Sequence, residues 1–177
     1  MSENDKTLTI GLLRHAHAGW SLPGQRDFDR TLNAEGRAEA QRLAARLADH
    51  AFRPSHVYCS PAARCVETFE LVRSALPANA EIIFHPPLYS SSSDTYLDLL
   101  DTHAGPGSAA SAILLIGHNP MIGETAEALF SRDDTSARQA LETGFPTAGL
   151  LLAACPLSAT GIRGTATLSA FLTPSNS

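Results

Sequence analysis

Three cysteines in 177 residues are too few, and too oddly numbered, to build a disulfide scaffold. None belongs to a C-x-x-C pair. Cys59 and Cys65 stand six apart and Cys155 is distant, so zinc ribbons and thiol-redox motifs find no support and a reduced cytosol is the expected compartment. No apolar run approaches the ~20 residues of a membrane span, so no membrane association is expected. Residues 1–6 lack the basic-then-apolar layout of a signal peptide. A cationic excess is missing as well. Thirteen basic residues stand against 18 acidic ones, a net charge of −5, which argues against nucleic acid as a partner. An anion bound by this chain needs a local basic pocket.

What remains is a globular composition, 44% hydrophobic and 18% charged. The length fits a single domain over residues 1–177, with 1–6 and 174–177 as frayed ends. Thr7 to Leu13 has the character of a first strand, and the Gly, Pro and mixed charges of residues 14–31 that of a long loop. Asn33 suits a helix N-cap, and apolar residues at Ala40, Leu43, Ala44 and Leu47 carry the helix to about His50. Ser55 to Cys59 is a short strand, and Ser60-Pro61 suits the N-cap and first position of a second helix, with Cys65, Phe69 and Val72 on its apolar face. Glu81 to Phe84 is a third strand, residues 88–93 a loop and about 94–102 a short helix. Ser111 to Ile116 is a buried-type strand, followed by a helix that Asn119-Pro120 opens. Residues 131–144 are expected as loop or irregular helix, and 148–155 and 165–172 as closing strands. This alternation predicts a three-layer α/β/α sandwich around a mostly parallel sheet. Such sheets bind ligands beyond the carboxyl ends of their strands.

Three of those ends carry related chemistry. Arg14-His15 closes the first strand, Ser60 and then Arg64 follow the second, and Gly117-His118 closes the fourth. Two guanidinium groups, two imidazoles and adjacent helix N-termini suit a small dianion such as phosphate. Each signal alone is common, and the combination at three strand ends is specific. A Cys-dependent phosphatase is the weaker alternative, because only four residues separate Cys59 from Arg64 and none is glycine.

These segments resemble the signatures of the histidine phosphatase (phosphoglycerate mutase-like) superfamily. Leu12-Leu13-Arg14-His15-Ala16 is similar to its Arg-His-Gly motif, with Ala16 in place of glycine. Ser60-Pro61-Ala62-Ala63-Arg64-Cys65-Val66-Glu67-Thr68 resembles S-P-x-x-R-x-x-E-T, and Gly117-His118-Asn119-Pro120 the second-histidine motif. Arg30 to Gly36 resembles R-P-L-T-x-x-G. Phe145-Pro146-Thr147-Ala148 resembles the late segment of the short bacterial SixA-type phosphohistidine phosphatases.

The resemblance implies a phosphatase that needs no metal or other cofactor. His15 is then the nucleophile, and Arg14, Arg64 and His118 hold the phosphoryl oxygens. Many relatives carry a Glu after the third strand that protonates an alcohol leaving group. Residues 86–94 contain none, and Asp94, the nearest carboxylate, is a candidate acid whose position also suits a helix N-cap. His17, Arg26 and Ser60 are candidates for the substrate rim. Without the acid, a phosphorylated protein bearing phosphohistidine is favoured as substrate over a small phosphate ester. A non-catalytic phosphate- or phosphoprotein-binding module is the alternative from another class.

Overall fold

The computed structural model describes residues 6–158 and 160–174. The residues expected to fray therefore lie largely outside those described. Among the described residues six strands form one sheet: β1 (Thr7–Arg14), β2 (His56–Cys59), β3 (Glu81–Phe84), β4 (Ala112–Gly117), β5 (Leu150–Pro156) and β6 (Thr167–Leu172). Their order is β3-β2-β4-β1-β5-β6. The β3–β2, β2–β4 and β4–β1 pairs are parallel, whereas β5 runs antiparallel to both β1 and β6.

The period-two alternation of the strands divides the core between the two faces of the sheet. Leu8, Ile10 and Leu12 of β1, with Ile113 and Leu115 of β4, pack in one cluster with α4 (Ser93–Ala104), α5 (Met121–Leu129) and α6 (Thr135–Leu141). Leu13 of β1, with Leu114 and Ile116 of β4, packs in the other cluster with α1 (Ala34–Ala48) and α2 (Ala63–Val72). The expected three layers are present. None of the helices is long and apolar enough to cross a membrane, among the described residues.

Several boundaries differ from expectation. Ser60-Pro61 does not cap α2, whose N-cap is Ala62, because the Ser60 hydroxyl is engaged at His118 instead. The expected loop at 88–93 begins with a single helical turn, α3 (Pro87–Ser90). Asp94 lies inside α4, and Ser92 holds the N-cap position. Asn33 does cap α1: its Oδ1 accepts the Gly36 N–H at 2.9 Å. Gly36 has no alternative side chain, since a Cβ there would lie 1.9 Å from the His17 carbonyl oxygen.

Candidate active site

Backbone register brings the chemistry together. Arg14 pairs with Gly117 across β1–β4, and Cys59 pairs with Ile116 across β2–β4. His15, Ser60 and His118 therefore leave the sheet at one level of one edge. The rings of His15 and His118 lie with centroids 5.3 Å apart. Arg64 is the second residue of α2, closer to the strand ends than a full helical turn.

His15 is buried, and its Nδ1–H donates to the Ala16 carbonyl at 2.7 Å. With the proton held there, Nε2 keeps its lone pair. Ala16 itself is fully buried, and its N–H donates to Thr68 Oγ1 at 3.0 Å. Its φ is not positive, so the position makes no demand for glycine. Thr68 in turn donates to the Arg64 carbonyl, tying the end of β1 to the arginine helix.

His118 is held from beneath. Its Nε2 lies 2.8 Å from Ser60 Oγ, and its backbone N–H donates to Tyr96 Oη at 3.3 Å. Ser60 Oγ also accepts from the Ala62 N–H. Gly117 gives Tyr96 its place: a Cβ there would stand 2.3 Å from Tyr96 Oη. The Phe145 carbonyl accepts from both Arg14 Nη1 (2.8 Å) and Asn119 Nδ2 (3.2 Å), so the late Phe-Pro-Thr segment positions the first arginine.

The cationic groups are not fully spent. Arg64 gives Nη1 to the Asp27 carbonyl and Nη2 to Asp27 Oδ2. The Nε atoms of Arg14 and Arg64 are both buried, and neither N–H has an acceptor among the described residues. Buried donors without partners are rare and costly, and two on cations beside one imidazole suit an arriving oxyanion.

Electrostatics keeps the imidazoles neutral. Burial lowers the His15 pKa to about 4; the bond to Ala16 opposes this, and the Arg64, Arg14 and Arg30 charges add to it. Burial and then the neighbouring His15 and Arg64 lower that of His118 to about 3. Both rings are expected to stay neutral from pH 8 to pH 5, giving flat histidine ring shifts in an NMR titration. An unfolded chain takes up these two protons below about pH 6.5 while the folded one refuses them, so stability falls as pH drops from about 6.5 toward 4. Denaturant midpoints at pH 7 and pH 5 check this. Equal midpoints would contradict it.

The other sequence candidates do not join the cluster. His17 Nδ1 accepts from Asn33 Nδ2 at 2.7 Å, which holds the ring at the start of α1. Arg26 is exposed and bonded to Asp29 through Nε and Nη2. Ser60 is no rim residue: it is fully buried beneath His118. Asp94 accepts from Arg163 Nη2 at 2.6 Å on an exposed surface, so it is neither a cap nor an acid at the site. Cys59 and Cys65 are buried thiols, and desolvation raises the Cys59 pKa well above its ordinary value, which removes the Cys-phosphatase alternative.

Sequence reasoning passed over three positions. Asp27 binds Arg64, Arg30 and the Tyr89 hydroxyl together. Glu39, buried, accepts the His17 N–H and the Thr147 hydroxyl, joining the loop after β1 to the late segment. Glu67 accepts the Leu32 N–H and the Arg37 Nε–H, which explains the glutamate of the Arg64 segment as a clamp on the start of α1. Only Glu67 lay in a recognisable motif. A surface cavity of about 730 Å³ lies between α5 and α6 and is lined by none of the four clustered residues. Among the described residues no three His, Cys, Asp or Glu side chains converge as metal ligands.

A model of the histidine phosphatase superfamily (branch 1) matches residues 10–89. The solved structure of SixA from Agrobacterium tumefaciens is 36% identical with a TM-score of 0.79, covering 94% of this chain and 98% of that one. A structure of the protein histidine phosphatase SixA complexed with tungstate shares the fold, at 21% identity and a TM-score of 0.77 over 95% of this chain and 98% of that one. A chloroplastic protein of Arabidopsis thaliana is 29% identical over 67% of this chain and 57% of its own length. The mitochondrial serine/threonine-protein phosphatase PGAM5 of Xenopus laevis is 37% identical over 40% of this chain and 25% of its own. The match therefore spans 57% and 25% of these two relatives. With the strand-end motifs at one sheet edge and a near full-length relative at 36% identity, the chain belongs to the histidine phosphatase superfamily.

Proposed function

We propose that the protein is a phosphatase that works through a phosphorylated His15 and acts on phosphohistidine in a partner protein. One observation carries the chemistry: a neutral His15, its proton fixed on Nδ1, stands beside two arginines with unclaimed buried N–H donors. In the proposed reaction the Nε2 lone pair attacks phosphorus. Arg14, Arg64 and His118 balance the charge on the phosphoryl oxygens, where fixed donors lower the barrier most. The phosphoimidazolium of His15 then loses its phosphoryl group to water. The electron pair of the P–N bond returns to Nε2, and dihydrogen phosphate leaves. Burial that disfavours an imidazolium at His15 also favours this second step, because it ends in the neutral ring.

The substrate class rests on the leaving group. An alkoxide benefits from a positioned acid, worth about 10²–10⁴-fold. The segment from Pro86 to Asp94 brings no carboxylate to the site, since Asp94 is held by Arg163. An imidazole that already carries a proton leaves without such an acid. The A. tumefaciens relative bears the name phosphohistidine phosphatase SixA, which agrees with this reading. Release of phosphate from a histidine-phosphorylated protein is expected to exceed, in kcat/KM, release from sugar phosphates. Equal or better turnover of a sugar phosphate would move the assignment to small phosphate esters. Tight phosphoprotein binding without release would make the protein a binding module.

A further inference from the structure

A carboxylate stands against the guanidinium that the phosphoryl group is to use. Asp27 begins a short 3-10 turn, Asp27–Asp29, in the loop after β1. Its Oδ2 accepts from Arg64 Nη2 at 3.0 Å and from the Tyr89 hydroxyl at 3.1 Å, and its Oδ1 accepts from Arg30 Nε at 2.9 Å. Partial burial pushes the Asp27 carboxyl pKa up, but the Arg30 bond and the Arg64 charge outweigh it and hold the group below the ordinary carboxylate value. Asp27 is thus an anion at the working pH.

For a receptor of phosphate alone this is a poor arrangement, because a fixed negative charge beside the pocket repels the dianion. It becomes favourable when the substrate carries a cation next to its phosphoryl group. Phosphohistidine does so through the protonated second nitrogen of its ring. A sugar phosphate does not. The surroundings suit a flat cation. The Tyr89 ring stands 5.7 Å from His118 and 5.0 Å from Phe28, edge to face in both cases. Aromatic faces attract cationic rings. Asp27 also need not be displaced for the phosphoryl group to bind, because it takes only Nη1 and Nη2 of Arg64 and leaves Nε–H unclaimed.

We propose that Asp27, flanked by Tyr89 and Phe28, is the subsite for the leaving imidazole, accepting its ring N–H and so selecting phosphohistidine over phosphate esters. This rests on the substrate reading given above. In the transfer, His15 Nε2 forms a new P–N bond while the substrate P–N bond breaks, its electron pair returning to the leaving ring. The proton on the far nitrogen stays there, hydrogen-bonded to Asp27, and neutral imidazole departs. Asp27 remains ionised throughout.

The test is Asp27→Asn with two substrates, a histidine-phosphorylated protein and p-nitrophenyl phosphate, whose leaving group needs no proton. The variant is expected to lose about 10²-fold more in kcat/KM on phosphohistidine than on p-nitrophenyl phosphate, the size of one hydrogen bond to a charged group. Parallel losses on both substrates would reduce Asp27 to a strut for Arg64 and overturn the proposal. Parallel gains would make it a plug and overturn it equally. If the wild-type protein itself fails to turn over phosphohistidine, the substrate reading falls and the subsite falls with it. If wild type succeeds and the variant keeps its substrate ratio, only the subsite falls.

Discussion

Replacing His15 with alanine is expected to lower kcat by at least about 10⁴-fold while the fold holds. The size follows from what is lost. Among the described residues no other neutral nucleophile stands at the sheet edge with a free lone pair: His118 Nε2 is engaged by Ser60, and both nearby thiols are buried. The fold is expected to survive because His15 contributes one side-chain hydrogen bond, to the adjacent Ala16 carbonyl. The clamps on that segment are backbone and neighbour contacts, the Ala16 N–H to Thr68 and the His17 N–H to Glu39. Circular dichroism and the unfolding midpoint should therefore stay near wild type. A variant that keeps a tenth of its activity would show that the imidazole is not the attacking group.

The second large effect is expected at Arg64. Arg64→Ala should cost about 10²–10³-fold in kcat, the usual consequence of removing one preorganised donor to a developing charge. Arg64→Lys should recover little, because an ammonium is a point charge and cannot serve Asp27 with two nitrogens while offering a third to phosphate. Arg26→Ala makes the contrast. Its guanidinium is spent on Asp29 at the surface, and steady-state kinetics should place the variant within about threefold of wild type, as exposed ion pairs contribute little. Comparable losses at 26 and 64 would point to a diffuse cationic surface rather than a built pocket.

The difference between these two arginines also marks what the chain discloses before folding. Arg14, His15, Arg64 and His118 were legible because each follows a strand pattern closely, and strand ends in a parallel sheet share an edge. The two faces of the core were legible for the same reason: alternation in β1, β4 and β5 separates one cluster from the other. The loop from residue 16 to residue 31 has no such period. Nothing in its order distinguishes Arg26, which turns to Asp29, from Asp27, which turns to Arg64. Asp94 was misjudged because nearness in sequence to the third strand stood in for nearness in space. The helix α4 carries it to Arg163 instead. Ser60 showed the reverse fault: its proximity was right, but its burial beneath His118 makes it a support, which only the packing discloses.

The account turns on a covalent phosphoryl group at one nitrogen. Rapid quenching with an isotopically labelled phosphoryl donor should trap a phosphoprotein whose label is stable in base, lost in acid, mapped to His15 by peptide analysis and missing from His15→Ala. Label on another residue, acid-stable label, or steady turnover by wild type with no trapped label under any quench would contradict it.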